Sequence, residues 1–251
     1  MSLFTEKPNR RRIMVFDVET TGLLPKKHDS VALTELPHIL QISFVIFDTQ
    51  YWKVVKSVDR YINVAPDVEI SEKITEITGI TRSICDTGTS ITNALHEFYT
   101  EYMLCNMIVA HNIQFDRDMI LTELRRHKDE LIGRGCYSVS SVFDTEYEKT
   151  VQKDIFCTMR VGRNACKIER TALDGKIYYK SPKLVELYEH LFKETPLDLH
   201  NSLVDTYICL RCLVKLRFKF DLSLEMFPNI RFKPLVEAPA TSISNILEIQ
   251  S

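Results

Sequence analysis

The stretch IMVFDVETTGL, residues 13–23, runs from four apolar residues directly into two carboxylates. Ile13, Met14, Val15 and Phe16 form a continuous apolar run, which suits a strand covered on both faces. Asp17 and Glu19 stand two residues apart, so the alternation of a strand points both side chains the same way. Like charges held side by side at the end of a buried strand repel strongly. Such a pair needs a reason elsewhere in the chain.

Working outward, residues 13–18 read as the first strand, followed by the polar loop TTGLLPKKHDSVALTELPH. HILQISFVIFD and YWKVVKSVDRYINV read as two more strands, and the short joint around Asp48, Thr49 and Gln50 makes them an antiparallel hairpin. EISEKITEITGI and SITNALHEFYTEYML follow as helices; in the second, Ile91, Leu95, Phe98 and Tyr102 recur at helical spacing. MIVAHN is a short strand breaking at His111 and Asn112. IQFDRDMILTELRRHKDEL then reads as one helix with Asn112 as its N-cap. Residues 133–180 are punctuated by glycines, with a strand at DIFCTM. SPKLVELYEHLF, with Pro182 in its first turn, and SLVDTYICLRCLVKLRF close the core as helices. Three strands in succession, then alternating helix and strand, indicate an α/β fold with a mixed sheet flanked by helices. The pattern dissolves after Phe220, so residues 1–220 are expected to form the domain and 221–251 a C-terminal extension. That extension carries the apolar residues Phe227, Ile230, Phe232, Leu235 and Val236. It is expected to pack back on the domain, with docking on a polymerase or another protein as the alternative.

Composition narrows the class. The 251 residues are 45% hydrophobic and 26% charged, as in ordinary globular proteins, and enough for a sizeable core. A formal net charge of −2 excludes a global basic footprint, so a nucleic-acid partner must be held by local features. Seven cysteines without a repeating spacing, and no signal peptide before them, point to free thiols in a reducing intracellular compartment, cytoplasm or nucleus. No window has the length and apolarity of a membrane span. Cys209 and Cys212 match C-x-x-C but lie within one apolar helix and have no second pair, which makes them core residues, not zinc ligands.

Taken singly, each acidic residue has an ordinary explanation. Asp17 and Glu19 could be solvated at a strand end, Asp116 favoured by a helix dipole, and Asp205 part of a capping box three residues after Ser202. Their conjunction is different. Four carboxylates on element termini, with His200 five residues before Asp205 and no Lys or Arg among them, require a cation. Hard divalent ions with oxygen ligands, Mg²⁺ or Mn²⁺, meet that need. Two such ions about 4 Å apart are the known device for in-line attack on a phosphodiester.

FDVETTGL, AHNIQFD and HNSLVD resemble the three motifs of the DnaQ-like 3′-to-5′ exonuclease family, in its histidine (DEDDh) branch. The third motif is H-x-x-x-x-D from His200 to Asp205; the tyrosine branch would need Tyr at position 201, where Asn201 stands. HILQISFVIFD, ITEITGIT, FCTM and YYKSPKLVELYEHLF are similar to further family segments, and the resemblance covers roughly residues 12–218. It implies the ribonuclease-H-like fold, with three antiparallel strands followed by parallel ones. It implies that Asp17, Glu19, Asp116 and Asp205 bind two Mg²⁺ (or Mn²⁺) ions and that His200 deprotonates the attacking water. Thr20, Thr21, Gly22 and Leu23 are implied to receive the terminal nucleotide, with Leu23 wedged against its base and Gly22 allowing close approach or a positive φ; a turn with Leu23 as a core anchor is the alternative reading of the same residues. Asn112 and Phe115 complete the implied substrate site. The expected substrate is a single-stranded or frayed DNA 3′ end, hydrolysed to nucleoside 5′-monophosphates in proofreading or end processing. An RNA 3′ exonuclease with the same chemistry, and an inactive nucleic-acid-binding adaptor, are the alternatives.

Overall fold

A computed structural model describes residues 9–197, 199–227 and 230–235. In chain order the strands and helices are β1 (Asn9–Thr20), β2 (Ile39–Asp48), β3 (Lys53–Tyr61), α1 (Glu72–Thr78), α2 (Arg82–Asp86), α3 (Ile91–Leu104) and β4 (Cys105–Ala110). Then come α4 (Ile113–Arg126), α5 (Lys128–Gly133), α6 (Thr145–Val151), β5 (Asp154–Cys157), α7 (Thr158–Cys166) and the hairpin β6 (Glu169–Thr171) and β7 (Ile177–Tyr179). α8 (Leu184–Phe192), β8 (Glu194–Pro196), α9 (Ser202–Phe218) and β9 (Phe232–Pro234) follow.

The main sheet has the order β3-β2-β1-β4-β5. β1 pairs antiparallel with β2 and β2 with β3, whereas β4 and β5 run parallel to β1. This is the mixed α/β sheet expected from the sequence. β1 sits at its centre, and the apolar run Ile13–Phe16 is buried on both faces. Strand alternation divides the core. Met14, Phe16 and Val18 pack on the α3–α4 side, where Phe16 lies 5.2 Å from Phe98 between ring centroids and 5.9 Å from Phe143. Ile13 and Val15 pack on the other side, against Tyr207, Leu210, Leu213 and Val214 of α9. Asp17 and Glu19 share the parity of Ile13 and Val15, so the pleat aims them toward α9.

Several local expectations change. The predicted helix over 113–131 is two helices, divided at His127. Asn112 occupies the N-cap position of α4 but has φ of 65° and makes no capping bond with its side chain. Pro182 precedes the N-cap residue Lys183 and so lies outside α8; its carbonyl is used by His111 instead. The α9 cap is Asn201, whose side chain accepts from the amides of Leu203 and Val204, so Ser202 and Asp205 form no capping box. The glycine-punctuated 133–180 segment contains α6, α7 and an exposed hairpin that alternation alone did not mark.

After α9 the chain turns back. Phe227 is buried against Tyr207, 5.8 Å between centroids, and Phe232 stacks on Tyr188 at 5.5 Å. β9 pairs antiparallel with β8, and Leu235 is exposed. Val236, named among the apolar residues of the extension, lies outside the described residues. All seven cysteines are free, and Cys209 and Cys212 are buried. Among the described residues no helix is long and apolar enough to cross a membrane.

Candidate active site

The site forms where β1 outruns its parallel neighbour. The β1–β4 register ends at Val15 and Val109, while β1 continues to Thr20. In that gap the amide of Val18 donates to Asp116 Oδ1 at 3.2 Å, and Asp116, 3% exposed, is drawn from the first turn of α4 to the strand end. On the opposite edge the β1–β2 register shifts between Glu19 and Thr20. Such irregularities bend a strand and re-aim its side chains.

Asp17 and Glu19 stand opposite Ser43 and Gln41, and these two stand opposite Asp59 and Tyr61. The resulting polar rows hold the start of α9. Ser202 Oγ donates to the Asp17 carbonyl at 2.6 Å, and the Ser202 amide donates to Gln41 Oε1 at 3.3 Å. Gln41 Nε2 and Ser43 Oγ both donate to Asp59 Oδ1, at 2.8 and 2.7 Å. Asn201 Nδ2 donates to the Tyr61 hydroxyl at 3.3 Å. The first turn of α9 is thereby tied to three strands, which sets Asp205 against Asp17 and Glu19. Sequence reading passed over Gln41, Ser43 and Asp59, and took Ser202 for a local cap. A signal existed: Gln41 and Ser43 are polar, two residues apart, in a strand whose every residue is buried, and buried polar groups need partners.

His200 lies in the exposed turn before α9 with φ of 67°, and its amide donates to Asp205 Oδ2 at 3.3 Å. One ligand atom each from Glu19, His200 and Asp205 lie within 4.8 Å of one another. Asp205 Oδ1 is buried with no hydrogen-bond partner.

The electrostatics express the same convergence. Burial, reinforced by the charges of Asp116, Asp205 and Glu19, pushes the Asp17 carboxyl well above the usual range. Burial and the Asp205 and Asp116 charges push Glu19 up to about 8. Asp116 is raised to about 8, mainly by burial, although the Val18 amide opposes this. Burial raises Asp205 to about 7. Each carboxylate is thus costly to ionise beside the others, and one buried oxygen of Asp205 lacks a hydrogen-bond partner. A hard divalent cation with oxygen ligands answers both features, and the donor set fits it.

The other predicted residues differ in their surroundings. Thr20 is buried and donates from Oγ1 to the Gly22 carbonyl at 2.7 Å. The Thr21 amide donates to the His38 carbonyl and Thr21 Oγ1 accepts from the His38 amide, each at 2.9 Å, so both threonines build the turn. Gly22 does not have the positive φ allowed for it, and open space surrounds its Cα. Leu23 is 83% exposed, which excludes a core role. Phe115 is half-buried against the α3–α4 core, and Asn112 is exposed.

A family model described as Exonuclease (RNase_T) matches residues 14–213. The 3′-5′ exonuclease DinG of Bacillus subtilis is 30% identical over 118 residues, which are 47% of this chain and 11% of that protein. A PolC-type DNA polymerase III of Thermotoga petrophila is 37% identical over 105 residues, 41% of this chain and 6% of that protein. The chain therefore corresponds to a small part of these relatives. Among solved structures, E. coli exonuclease I in complex with a dA16 oligonucleotide superposes with a TM-score of 0.54 at 16% identity, covering 82% of this chain and 41% of that one. Cell-death related nuclease 4 gives 0.55 at 11% identity, covering 84% and 65%. These two likenesses bear on the fold.

Proposed function

Because this chain belongs to the RNase_T exonuclease family, we propose that it is a metal-dependent 3′-5′ exonuclease acting on single-stranded or frayed DNA ends. The observation that carries the reading is the meeting of Asp17, Glu19, Asp116 and Asp205 at the end of β1, with His200 beside them. No basic residue is needed to explain the cluster once a cation is bound. The DNA preference is supported by the similarity to a PolC-type DNA polymerase III and by the dA16 oligonucleotide bound in exonuclease I.

In this reading Asp17, Glu19, Asp116 and Asp205 hold two divalent ions, Mg²⁺ or Mn²⁺. Bound ions lower the pKa of water and neutralise charge that develops on phosphoryl oxygens. His200, exposed at the rim, takes the proton of the attacking water. Leu23, projecting from the Thr20–Gly22 turn, offers an apolar edge to the terminal base, the backbone of that turn approaches the sugar, and Asn112 and Phe115 complete the substrate site. Release of nucleoside 5′-monophosphates from the 3′ end follows. The domain is residues 1–220 with an extension over 221–251 that packs back on it, working within the cell.

A panel of end-labelled single-stranded DNA and RNA oligonucleotides, with and without Mg²⁺ or Mn²⁺, tests the proposal. Divalent-dependent shortening of DNA from the 3′ end is expected, with matched RNA cut at least about tenfold more slowly. Equal or faster cutting of RNA overturns the DNA assignment, and cutting that persists in Asp205→Asn overturns the site.

A further inference from the structure

The β6–β7 hairpin leaves every residue of both strands exposed. Its ladder places Arg170 opposite Tyr178, and strand alternation sets Lys176 and Lys180 on that same face, one on either side of Tyr178. Tyr178 is 51% exposed. An exposed aromatic ring framed by three cations has no role in holding the core. Between residues 160 and 183 there are seven basic residues and two acidic ones, in a chain whose net charge is −2. Arg170 forms no salt bridge among the described residues. Lys176 pairs with Asp174 on the surface, a pair that a phosphate can replace at little cost, while Lys180 pairs with the partly buried Glu186 of α8. Positive charge is therefore concentrated where the rest of the molecule has none to spare, and beside a ring able to stack on a base.

The hairpin is also tethered to the site. The Lys180 amide donates to the Ile168 carbonyl at 2.9 Å and closes its base. Three residues after Tyr179, the Pro182 carbonyl accepts from His111 Nε2 at 3.1 Å. His111 stands just before the helix that carries Asp116. Three residues reach at most about 10 Å, and Asp116 lies in the first turn of α4, about 4.5 Å of rise after Ile113. A few nucleotides bridge such a span.

We propose that the face formed by Arg170, Lys176, Tyr178 and Lys180 is a second contact for the DNA strand. A base upstream of the 3′ end stacks on Tyr178 and its phosphates lie against the three cations. The inference rests on the exonuclease reading above and adds to it a length preference: oligonucleotides gain from the hairpin, and a mononucleotide ester does not.

The test uses the full chain with Mn²⁺ and compares wild type with Tyr178→Ala, Tyr178→Phe and Arg170→Gln. One substrate is a 5′-fluorescein dT 20-mer, followed by anisotropy and by degradation; the other is the p-nitrophenyl ester of thymidine 5′-monophosphate. Tyr178→Ala is expected to raise Kd and KM for the 20-mer about tenfold, the effect of one lost stacking contact, while Tyr178→Phe stays within about twofold of wild type. Arg170→Gln should make the slope of log Kd against log salt shallower by about 0.7, one phosphate contact on a single strand. All three variants should hydrolyse the ester as wild type does. Unchanged 20-mer binding in Tyr178→Ala, or parallel loss on ester and 20-mer, overturns the hairpin contact. A wild-type protein that degrades neither the 20-mer nor the ester overturns the exonuclease reading, and the anisotropy comparison still decides the hairpin.

Discussion

At the scale of single residues, the four carboxylates raise one another's cost of ionisation, and this gives separable expectations for activity and stability. Asp17→Asn and Asp205→Asn should each abolish divalent-dependent 3′ degradation. The same Asp205→Asn change removes one charge from a crowded, cation-free cluster. It should therefore stabilise the metal-free protein by roughly 1–2 kcal/mol, about 2–8 °C in Tm for a chain of this size. A lower Tm of metal-free Asp205→Asn, measured by calorimetry with a chelator present, would contradict the electrostatic account. His200 holds no buried structural role, so His200→Ala should lower kcat by about 10²-fold while the melting temperature stays within about 1 °C of wild type. Stopped-flow or gel assays at saturating oligonucleotide check the first number and thermal melts the second.

At the scale of elements, two polar anchors set where the motifs sit. His111 at the end of β4 lies between Thr158 Oγ1, at 3.0 Å, and the Pro182 carbonyl. Burial pushes its imidazole down to about 4, so the folded protein holds it neutral with Nε2–H donating to Pro182. The unfolded chain binds a proton near pH 6.5, which makes the folded form less favoured as pH falls from there toward 4; above 6.5 the contribution is complete. His38, beside Arg126, is lowered to about 4 and acts in the same direction. His111→Gln should therefore flatten the fall in stability between about pH 6.5 and 4, read from urea melts at each pH. An equally steep acid loss in that variant would assign the effect elsewhere. The second anchor is Arg126 on α4, which donates to the carbonyls of Leu33, Leu36 and Pro37 and to Glu123 Oε1 at 2.7 Å. It pins the loop that begins with the Thr20–Leu23 turn. Arg126→Ala leaves several partly buried carbonyls and Glu123 without their donor, and should cost about 2–3 kcal/mol in a urea melt.

At the scale of the whole molecule, the segment after α9 is locked to the domain by one buried guanidinium. Arg211 lies 4.0 Å over the Phe192 ring, bonds to the Tyr188 hydroxyl and pairs with Glu194 at 3.1 Å and Asp221 at 2.9 Å. Its acidic partners come from either side of α9 in the chain, and its aromatic neighbours include Phe232 of β9. Arg211→Met keeps much of the packing and removes the charge. It should destabilise the fold by about 2 kcal/mol and expose the 221–235 region to limited proteolysis. Unaltered proteolysis would show that the apolar contacts of Phe227 and Phe232 suffice. Divalent ions act on the same global scale, because they bind the assembled cluster and not the dispersed chain. Mn²⁺ at about 100 times its Kd should stabilise wild type by roughly 2.7 kcal/mol, and Asp205→Asn by much less.

Much of this molecule was legible along the chain. The apolar run Ile13–Phe16 specifies a strand buried on both faces because no polar residue interrupts it, and the parity of Asp17 and Glu19 follows from the pleat alone. The 17 residues of α9 were bounded correctly from apolar spacing. The motif acids were legible too, since type, order and spacing are properties of one dimension. What needed three dimensions was everything that joins segments distant in sequence. Ser202–Asp205 looked like a capping box because local spacing cannot tell a local partner from a remote one; Ser202 instead serves the carbonyl of Asp17. The β6–β7 hairpin escaped because both its faces are exposed and carry no hydrophobic alternation. Sequence by itself determined which residues carry charge and which strand fixes the spacing of the first two. Only the tertiary structure decided that Asp116 and Asp205 meet them, because that depends on β1 outrunning β4 and on α9 being tied across three strands.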